Sequence, residues 1–201
     1  MGENGKESVI VRRGGDRTRR EAQRVALELF TNQGYEATSL RQIAEALGIT
    51  KASLYYHFPS KEAILRSLFE VRADEAEDLL AWLHDQPRTP ELLETAVMRW
   101  VGSFSTDKLR GIRFMTANPL IGRATSGAEG ERIGANLTAL VDELVALLPS
   151  PTPVDVLLLR MSILSINAAV KAAANTDTAD EEIVEAAATA ARALVRQVTS
   201  R

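Results

Sequence analysis

Two short segments of helical periodicity, separated by Gly48, Ile49 and Thr50, constrain the fold of this chain most strongly. Apolar residues recur at i, i+3, i+4 and i+7 before this turn and at i and i+4 after it, so each segment has one face to bury. The residues concerned are Leu40, Ile43, Ala44 and Leu47 before the turn and Leu54 and Phe58 after it. A turn that contains glycine between two such helices is typical of a helix-turn-helix unit, with a chance helical hairpin as the alternative.

Capping signals define the ends of these helices. Ser39 begins a capping box, Thr38 is an alternative cap of the same helix, and Thr50 caps the next one. An amphipathic helix precedes them, from about residue 16 to a stop at Gly34. These signals predict three consecutive helices at the N-terminal end of the chain.

Every long segment after Ser60 also has a helical pattern, and the breaks contain proline, glycine or asparagine. No segment alternates as a strand does, and we find no internal repeat. The predicted helices cover residues 60–83, 90–104, 107–117, 129–148, 153–174 and 180–199. We therefore predict an all-α fold of about nine helices, with an N-terminal three-helix helix-turn-helix module and a larger C-terminal helical domain. Residues 1–15 contain four glycines and no helical period, which predicts a flexible basic arm.

The charge of the chain is unevenly distributed, although its net value is only −3. Residues 1–66 contain 11 Lys and Arg against 8 Asp and Glu, whereas residues 67–201 contain 13 against 19. A basic module joined to an acidic body is typical of a protein that contacts nucleic acid through one module. Cysteine is absent, which excludes disulfides and agrees with a reducing compartment. No apolar run of 18 residues occurs, so we expect a cytoplasmic protein without a membrane span.

The second helix of the pair carries an unusual set of side chains. With Leu54 and Phe58 facing inward, its other faces hold mainly hydrogen-bonding, planar or cationic groups, which suit the major groove of DNA. A metal site at His57 is the competing interpretation, but the only other histidine is His84 and cysteine is absent, so we expect no metal. The outward set is Lys51, Ser53, Tyr55, Tyr56 and His57.

Three cations begin predicted helices, where the helix dipole disfavours positive charge. They are Arg41, Lys51 and Lys61. A phosphate shared between the cation and the helix N-terminus would override this preference. The alternative is that the three cations simply go against the helix-dipole preference, each at a cost of a few tenths of a kcal/mol.

The segment TSLRQIAEALGITKASLYYHFPSKEAIL, residues 38–65, closely resembles the DNA-binding segment of the TetR family of transcriptional regulators. The preceding helix, with ALELFTNQGYEATS, fits as well, so the resemblance covers about residues 17–66. It implies a DNA-binding domain over residues 16–61 and a ligand-binding and dimerisation domain over residues 62–201. In this family the second domain is recognised by its number of helices, and the predicted number fits.

The resemblance also implies a role for each matching position. Thr38, Ser39 and Arg41 match positions that contact a backbone phosphate or a base edge. His57 and Lys61 match phosphate clamps. The positions that face the groove are matched by Lys51, Ala52, Ser53, Tyr55 and Tyr56. Among the arginines nearer the N-terminus, Arg12, Arg13 and Arg17 are candidates for the minor groove, although an arm without a role is an equal alternative.

Residues 153–174 carry two apolar stripes, and a helix that is apolar on two faces is buried on two sides. One stripe is Val154, Leu157, Leu158, Met161, Leu164, Ala168 and Ala172, and the other is Val156, Leu159, Ile163, Ile166, Val170 and Ala173. The last helix is rich in alanine, and two such pairs across a twofold axis make a four-helix bundle. The resemblance implies the same homodimer; a monomer is the alternative. The predicted interface residues are Leu159, Ile163, Ile166, Val170, Ala187, Ala191 and Leu194.

Aromatic and polar side chains between these two regions are candidates for a small-molecule site, because such sites are apolar with a few polar groups. The candidates are Trp82, Trp100, Phe104, Arg113, Phe114 and Asn118. Ordinary core is the alternative for each of them. The resemblance implies an effector pocket in this region, but the sequence does not identify the effector.

No catalytic constellation is recognisable. Residues 122–127 have the glycine spacing of a phosphate loop but lack the Lys-Ser/Thr that follows it, and residues 127–134 do not match a dinucleotide fingerprint. We expect no enzyme activity, no catalytic residues and no cofactor. A nucleoid-like structural DNA binder is a third class, but it would need a basic body, and residues 67–201 are acidic.

The expected function is that of a ligand-responsive repressor, with an activator of the same family as the alternative. It binds a palindromic double-stranded DNA operator as a homodimer and is released by an unknown small molecule. We expect ligand binding to move the helix that begins at Ser60 and so to change the separation of the two recognition helices.

Overall fold

The computed structural model describes the backbone of residues 4–200 and the side chains of residues 17–200 except Ser126. These residues form ten helices and no strand, which confirms the predicted all-α class. The helices are α1 (Asn4–Gln33), α2 (Leu40–Leu47), α3 (Lys51–His57), α4 (Lys61–His84), α5 (Leu92–Gly102), α6 (Thr106–Ala117), α7 (Pro119–Val145), α8 (Pro153–Ile163), α9 (Ser165–Ala172) and α10 (Asp180–Thr199). Two compact units, residues 1–68 and 69–201, meet within α4, whereas the predicted boundary lies after residue 61. The functional assignment of the two parts stays a prediction.

The arm predicted to be flexible is helical from Asn4, so that part of the prediction is wrong; residues 1–3 lie outside the described residues. Apolar periodicity predicts a helix only where one face carries a regular apolar pattern, and residues 4–15 have no such pattern. Propagation adds one hydrogen bond per residue fixed, so a packed helix extends through weak helix formers such as Gly14 and Gly15. The side chains of Arg12 and Arg13 also lie outside the described residues, and Arg17 is exposed.

In the first unit, α2 packs against both α1 and α3. Gly48 ends α2 with a φ of 67°, a left-handed conformation that glycine adopts without a steric penalty. The chain therefore reverses within three residues, and α3 returns across the core. The fully buried side chains of this core include Leu27, Phe30, Ile43, Leu54, Phe58, Ile64 and Leu65.

The second unit is built around α10, which packs against α5, α8 and α9. Ala187 and Ala191 are buried on α10, and small side chains there allow neighbouring helices to approach closely. On the other side of the unit, α7 packs against α6 and α8. The core shared by these helices includes Trp100, Leu109, Leu140, Leu144, Leu159, Ile163, Ile166 and Val195.

The segment predicted as one helix over residues 153–174 is two helices, α8 and α9, bent by 56° at Leu164. After the bend the amide of Asn167 donates to the carbonyl of Leu164, three residues back. The carbonyl of Ile163 instead accepts from the indole Nε1 of Trp100 at 3.0 Å. A buried carbonyl needs a partner, and a side chain from α5 supplies it here, so the bend depends on a residue 63 positions away.

The seventh helix also differs from its prediction, which placed a helix over residues 129–148 and none over residues 118–128. The structure continues α7 through this region and limits the break to Gly127, with φ 47° and ψ −143°. Among the described residues, no single helix is long and apolar enough to cross a membrane; only the bent pair α8 and α9 reaches that length and composition.

Candidate functional site: a helix-turn-helix surface

Contacts on the buried face of α3 hold this helix against the rest of the first unit. Leu54 and Phe58 are fully buried, and the guanidinium of Arg19 on α1 lies 4.7 Å from the ring centroid of Phe58. Arg19 Nη1 also donates to the carbonyl of His57 at 3.5 Å. At the other end, the amide of Ser53 donates to the Thr50 hydroxyl at 3.1 Å. With both ends held, α3 presents its outer face in one orientation.

The outer face of α3 is solvent-exposed and aromatic. The side chain of Tyr56 is 87% exposed, and that of Tyr55 is 43% exposed. The rings of Tyr56 and His57 lie edge to face, with centroids 5.3 Å apart. Burial of a tyrosine ring is favourable, so a ring left this exposed provides contact area for a partner. Of the ten predicted DNA contacts, Ser39, Arg41, Lys51, Ala52, Ser53, Tyr55 and Tyr56 are exposed, and His57 and Lys61 are half-buried.

Thr38 is the exception and needs a correction. Its side chain is only 2% exposed, and its hydroxyl donates to the carbonyl of Gly34 at 2.9 Å. It therefore joins the end of α1 to the start of α2 and has no surface with which to contact DNA. The cap of α2 is Ser39, which accepts from the amide of Gln42 at 3.2 Å.

The three cations at helix N-termini each have a partner inside their own unit. The positions are as predicted, since each lies in the first turn of its helix. The contacts are Arg41 with the Glu45 carboxylate at 2.7 Å, Lys51 Nζ with the Tyr55 ring centroid at 5.2 Å, and Lys61 Nζ with the Tyr35 carbonyl at 2.7 Å. These contacts offset the unfavourable dipole, so the positions of the cations do not by themselves require a bound phosphate.

Lys61 belongs to an anchor that sequence reasoning missed. Its Nζ lies 4.4 Å from the ring centroid of Tyr35, and the Tyr35 hydroxyl donates to Glu62 Oε1 at 2.8 Å. Burial, followed by the bond to Glu62, raises the pKa of Tyr35 above its usual range. The pKa of Glu62 is lowered first by its own backbone N–H and then by Tyr35. The aromatic residue one position after the helix-ending Gly34 was the available signal for this anchor of α4.

Six of the seven residues predicted at the dimer interface lie in the core of their own unit. Their exposed fractions are between 0 and 2%, which leaves no surface for a partner, so this part of the prediction is wrong. The buried residues are Leu159, Ile163, Ile166, Val170, Ala187 and Ala191, while Leu194 is half-buried. The stripe on the surface is the other one, with Val154, Leu157, Met161 and Leu164 between 46 and 57% exposed. Both stripes have the same period, so only packing distinguishes them.

Two of the six predicted effector residues lie together. The rings of Trp100 and Phe104 meet edge to face, with centroids 5.8 Å apart, and both are buried. The guanidinium of Arg72 lies 4.1 Å from the Trp100 ring and 3.9 Å from the Phe104 ring. Sequence reasoning missed Arg72, although it lies four residues before Ala76 and seven before Leu79 on the buried stripe of α4.

The other predicted effector residues have partners elsewhere in the unit. Arg113 forms an ion pair with Asp180 at 2.5 Å, and the Asn118 side chain donates to the carbonyl of Phe114 at 2.9 Å. Trp82 is half-buried, with the guanidinium of Arg99 4.7 Å from its ring. These contacts stabilise the helices, and the two polar groups expected to orient a ligand are engaged within the chain.

A surface cavity of about 540 Å³ lies elsewhere in the second unit. It is bounded by the α4–α5 connection, the α7–α8 connection and the end of α10, with Arg88, Leu93, Leu148 and Val198 among its lining residues. None of the six predicted effector residues lines it. Its size is within the range of small-molecule sites.

Residues 24–68, which contain the capped helix-turn-helix and the exposed face of α3, match the family model described as bacterial regulatory proteins of the tetR family. Over this segment the chain is similar to the TetR family of transcriptional regulators. The TetR match includes α2, α3 and the first residues of α4, which form the surface described above.

Curated TetR-type relatives match this chain over the same region. The regulator AcrR of Shigella flexneri is 41% identical over 54 residues, which is 27% of this chain and 25% of AcrR. IcaR of Staphylococcus epidermidis, named as a negative transcriptional regulator of the biofilm operon icaADBC, is 42% identical over 60 residues, or 30% of this chain and 32% of IcaR. The chain thus spans about a quarter to a third of the length of these relatives.

Solved TetR structures match nearly the whole chain. A regulatory protein of the tetR family from Rhodococcus RHA1 has a TM-score of 0.61 at 19% identity, over 89% of this chain and 95% of that one. The TetR-family regulator PfmR from Thermus thermophilus has a TM-score of 0.55 at 24% identity, over 89% and 97%. At these identities the likeness shows a shared all-α fold.

Proposed function

We propose that this TetR-family protein represses transcription by binding a palindromic DNA operator as a homodimer, and that a small molecule releases it. The observation that carries the proposal is the exposed outer face of α3. Its aromatic and hydrogen-bonding side chains stand on a helix held by Leu54, Phe58 and Arg19. A rigid helix with polar groups facing outward meets the requirement for reading base edges in a major groove.

The positive charge of the module supports the same proposal. Arg41 and Lys51 are exposed near the N-termini of α2 and α3. Their intramolecular partners are surface contacts, which contribute little and exchange readily for phosphate. Phosphate contacts of this kind fix the register of the protein on DNA, while base contacts specify the sequence.

The exposed apolar stripe of α8 supports the homodimer. Val154, Leu157, Met161 and Leu164 follow i, i+3, i+7 and i+10 and leave one continuous apolar face in solvent. On α10, small side chains at Ala186, Ala190 and Ala193 are exposed as well, and α8 packs against α10. Two copies that bury these faces form a four-helix interface, in place of the residues that the sequence indicated.

Repression and release complete the proposal. Repression is favoured over activation because IcaR, which matches in the DNA-binding segment, is named as a negative regulator. Release requires a ligand that prefers a conformation unable to bind the operator, and a tenfold loss of affinity needs about 1.4 kcal/mol of coupling. Helix α4 contains residues of both units, so it is the direct covalent path for that coupling.

The experiment is a selection of bound fragments from genomic DNA, followed by footprinting of the recovered sequence. A palindromic footprint with half-sites one helical turn apart, or a multiple of it, supports the proposal. Recovery of fragments without a common sequence would oppose it. A reporter gene placed behind the recovered site then distinguishes repression from activation, and a small-molecule library screened against the complex tests release.

A further inference from the structure

A buried cluster of charges in the second unit has no role in the function described above. The guanidinium of Arg72 lies in the angle between the perpendicular rings of Trp100 and Phe104, close to both, and its Nη1 bonds to the carboxylate of Glu75. The same carboxylate also forms an ion pair with Lys108 Nζ at 2.5 Å. Two cations therefore share one anion, and the cluster has a net charge of +1.

One donor of this cluster lacks a partner. Arg72 Nη2 is shielded from solvent and, among the residues that the structure describes, has no hydrogen-bond partner. A buried charged group that is left unsatisfied costs more than an ordinary missing hydrogen bond. Burial also lowers the pKa of Arg72 to about 10, which indicates that the surroundings disfavour its charge. A second anion at Nη2 would remove both costs.

We propose that Arg72 is the anion-binding group of the effector site, and that the effector is an organic acid whose carboxylate accepts a hydrogen bond from Nη2. This inference rests on the proposed function, because it names the class of ligand that the repressor recognises. Guanidinium and carboxylate form strong charge-assisted hydrogen bonds, and contacts with both rings and with Glu75 fix the position of the guanidinium.

The surroundings favour an anion over the alternatives. A cationic ligand would meet the net positive charge of Arg72, Lys108 and Glu75. A neutral ligand would leave the excess charge in place. The hydroxyl of Ser103 lies 3.4 Å from Arg72 Nη1, which also bonds to Glu75, so Nη2 is the terminal nitrogen that a ligand would engage.

The same cluster connects to the surface of the unit. Phe104 lies between α5 and α6, outside either helix, so a rotation of its side chain would break no helical hydrogen bond. Trp100 donates its indole N–H to the carbonyl of Ile163, next to the bend at Leu164 and the exposed apolar stripe. A ligand bound at Nη2 would therefore lie beside a ring whose indole N–H bonds next to the proposed dimer surface.

The experiment compares acids with their neutral counterparts on the full-length protein. Acetate, butyrate and octanoate are each paired with the primary amide of the same length, at constant ionic strength. Binding is followed by the NMR signal of the Arg72 side-chain N–H and by the shift in melting temperature. We expect at least one acid to bind the parent protein about tenfold or more tightly than its amide. Equal binding of acid and amide in all three pairs would overturn the inference and assign Nη2 to a water molecule.

Two variants test whether Arg72 causes the preference for an acid over its amide. Arg72→Met removes the charge, and we expect it to abolish the preference for acid over amide. Arg99→Met is the matched control, because it removes a cation that stacks on Trp82 instead, and we expect the preference to remain. If Arg72→Met does not fold, Arg72→Gln replaces it. A preference for acids that survives the loss of the Arg72 charge contradicts the inference.

Operator binding measured on the same preparations separates the two proposals. Operator binding without any acid preference would refute the inference and leave the proposed function intact. An acid preference in a protein that binds no DNA would support the role of Arg72 as an anion-binding group and refute the proposed function.

Discussion

At the scale of single residues, exposure and hydrogen bonding separate side chains that are available to a partner from those that hold the module together. Tyr56 and Thr38 both belong to the segment with family resemblance. Tyr56 stands in solvent, whereas Thr38 is buried and bonds to Gly34. Position in a motif therefore predicts the neighbourhood of a residue, but not which of its atoms remain available.

Tyr56→Ala is expected to weaken operator binding by about 1–3 kcal/mol and to relax discrimination at one position in each half-site. Its melting temperature is expected to stay near that of the parent, because the ring is almost fully exposed. Fluorescence anisotropy with operator variants measures the first effect and calorimetry the second. Leu120→Ala, which removes an exposed side chain of the second unit, is the control and should bind as the parent does.

Tyr35→Phe is expected to reduce stability by about 0.5–1.5 kcal/mol at neutral pH, because it removes the hydrogen bond to Glu62. The pKa of Glu62 is lowered in the folded state, so this stability is present above the unfolded pKa and is lost as the pH falls through the folded one. The difference between parent and variant should therefore shrink below about pH 4. Urea unfolding across this range provides the measurement. A constant difference down to about pH 3 would mean that Glu62 is not the partner that matters.

At the scale of elements, the bend between α8 and α9 shows how a helix end is imposed from outside the helix. Ser162 donates its hydroxyl to the carbonyl of Leu159, which competes with regular helical bonding. The indole N–H of Trp100 then donates to the carbonyl of Ile163. Neither proline nor glycine occurs between Val154 and Ala174, so the usual sequence signals of a break are missing.

Trp100→Phe is expected to lower the free energy of unfolding by about 1–3 kcal/mol, because it leaves the buried carbonyl of Ile163 without its partner. Trp82→Phe is the control, since that indole is half-buried and stacks beneath Arg99. Denaturant unfolding followed by circular dichroism compares the two. Equal losses would indicate that ring volume, and not the indole N–H, accounts for the effect.

At the scale of the whole molecule, the apolar stripe that stays exposed decides which surface the proposed homodimer would use. Leu157 and Leu159 are two positions apart on α8, yet one is 57% exposed and the other fully buried. A surface stripe of this size on an otherwise packed unit is typical of a protein interface. The pair therefore provides a matched test of the proposed dimer.

Leu157→Asp is expected to abolish the dimer while the protein remains folded, because the added charge meets the partner and not the core. Leu159→Asp is expected to unfold the second unit, since an unpaired buried charge costs several kcal/mol. Sedimentation velocity and circular dichroism on both variants separate the two outcomes. A Leu157→Asp variant that remains dimeric would move the interface away from α8.

The sequence by itself determined the helical class, the caps at Ser39 and Thr50, the turn at Gly48 and the inward positions of Leu54 and Phe58. These features follow from periodicity and from local backbone chemistry, which act over a few residues. It also showed the resemblance to the TetR family, because the motif over α2 and α3 is long and specific.

Only the tertiary structure decided which apolar stripe of residues 153–174 is core, where that segment bends, and that Thr38 and Lys61 have internal partners. It also placed Arg72 against Trp100 and Phe104, which lie 28 and 32 residues further along the chain. Each of these depends on a contact between residues distant in sequence, or on competition between two equally apolar faces for the same core. Local patterns do not encode that competition, because they describe what a helix can bury and not what the rest of the chain packs against it.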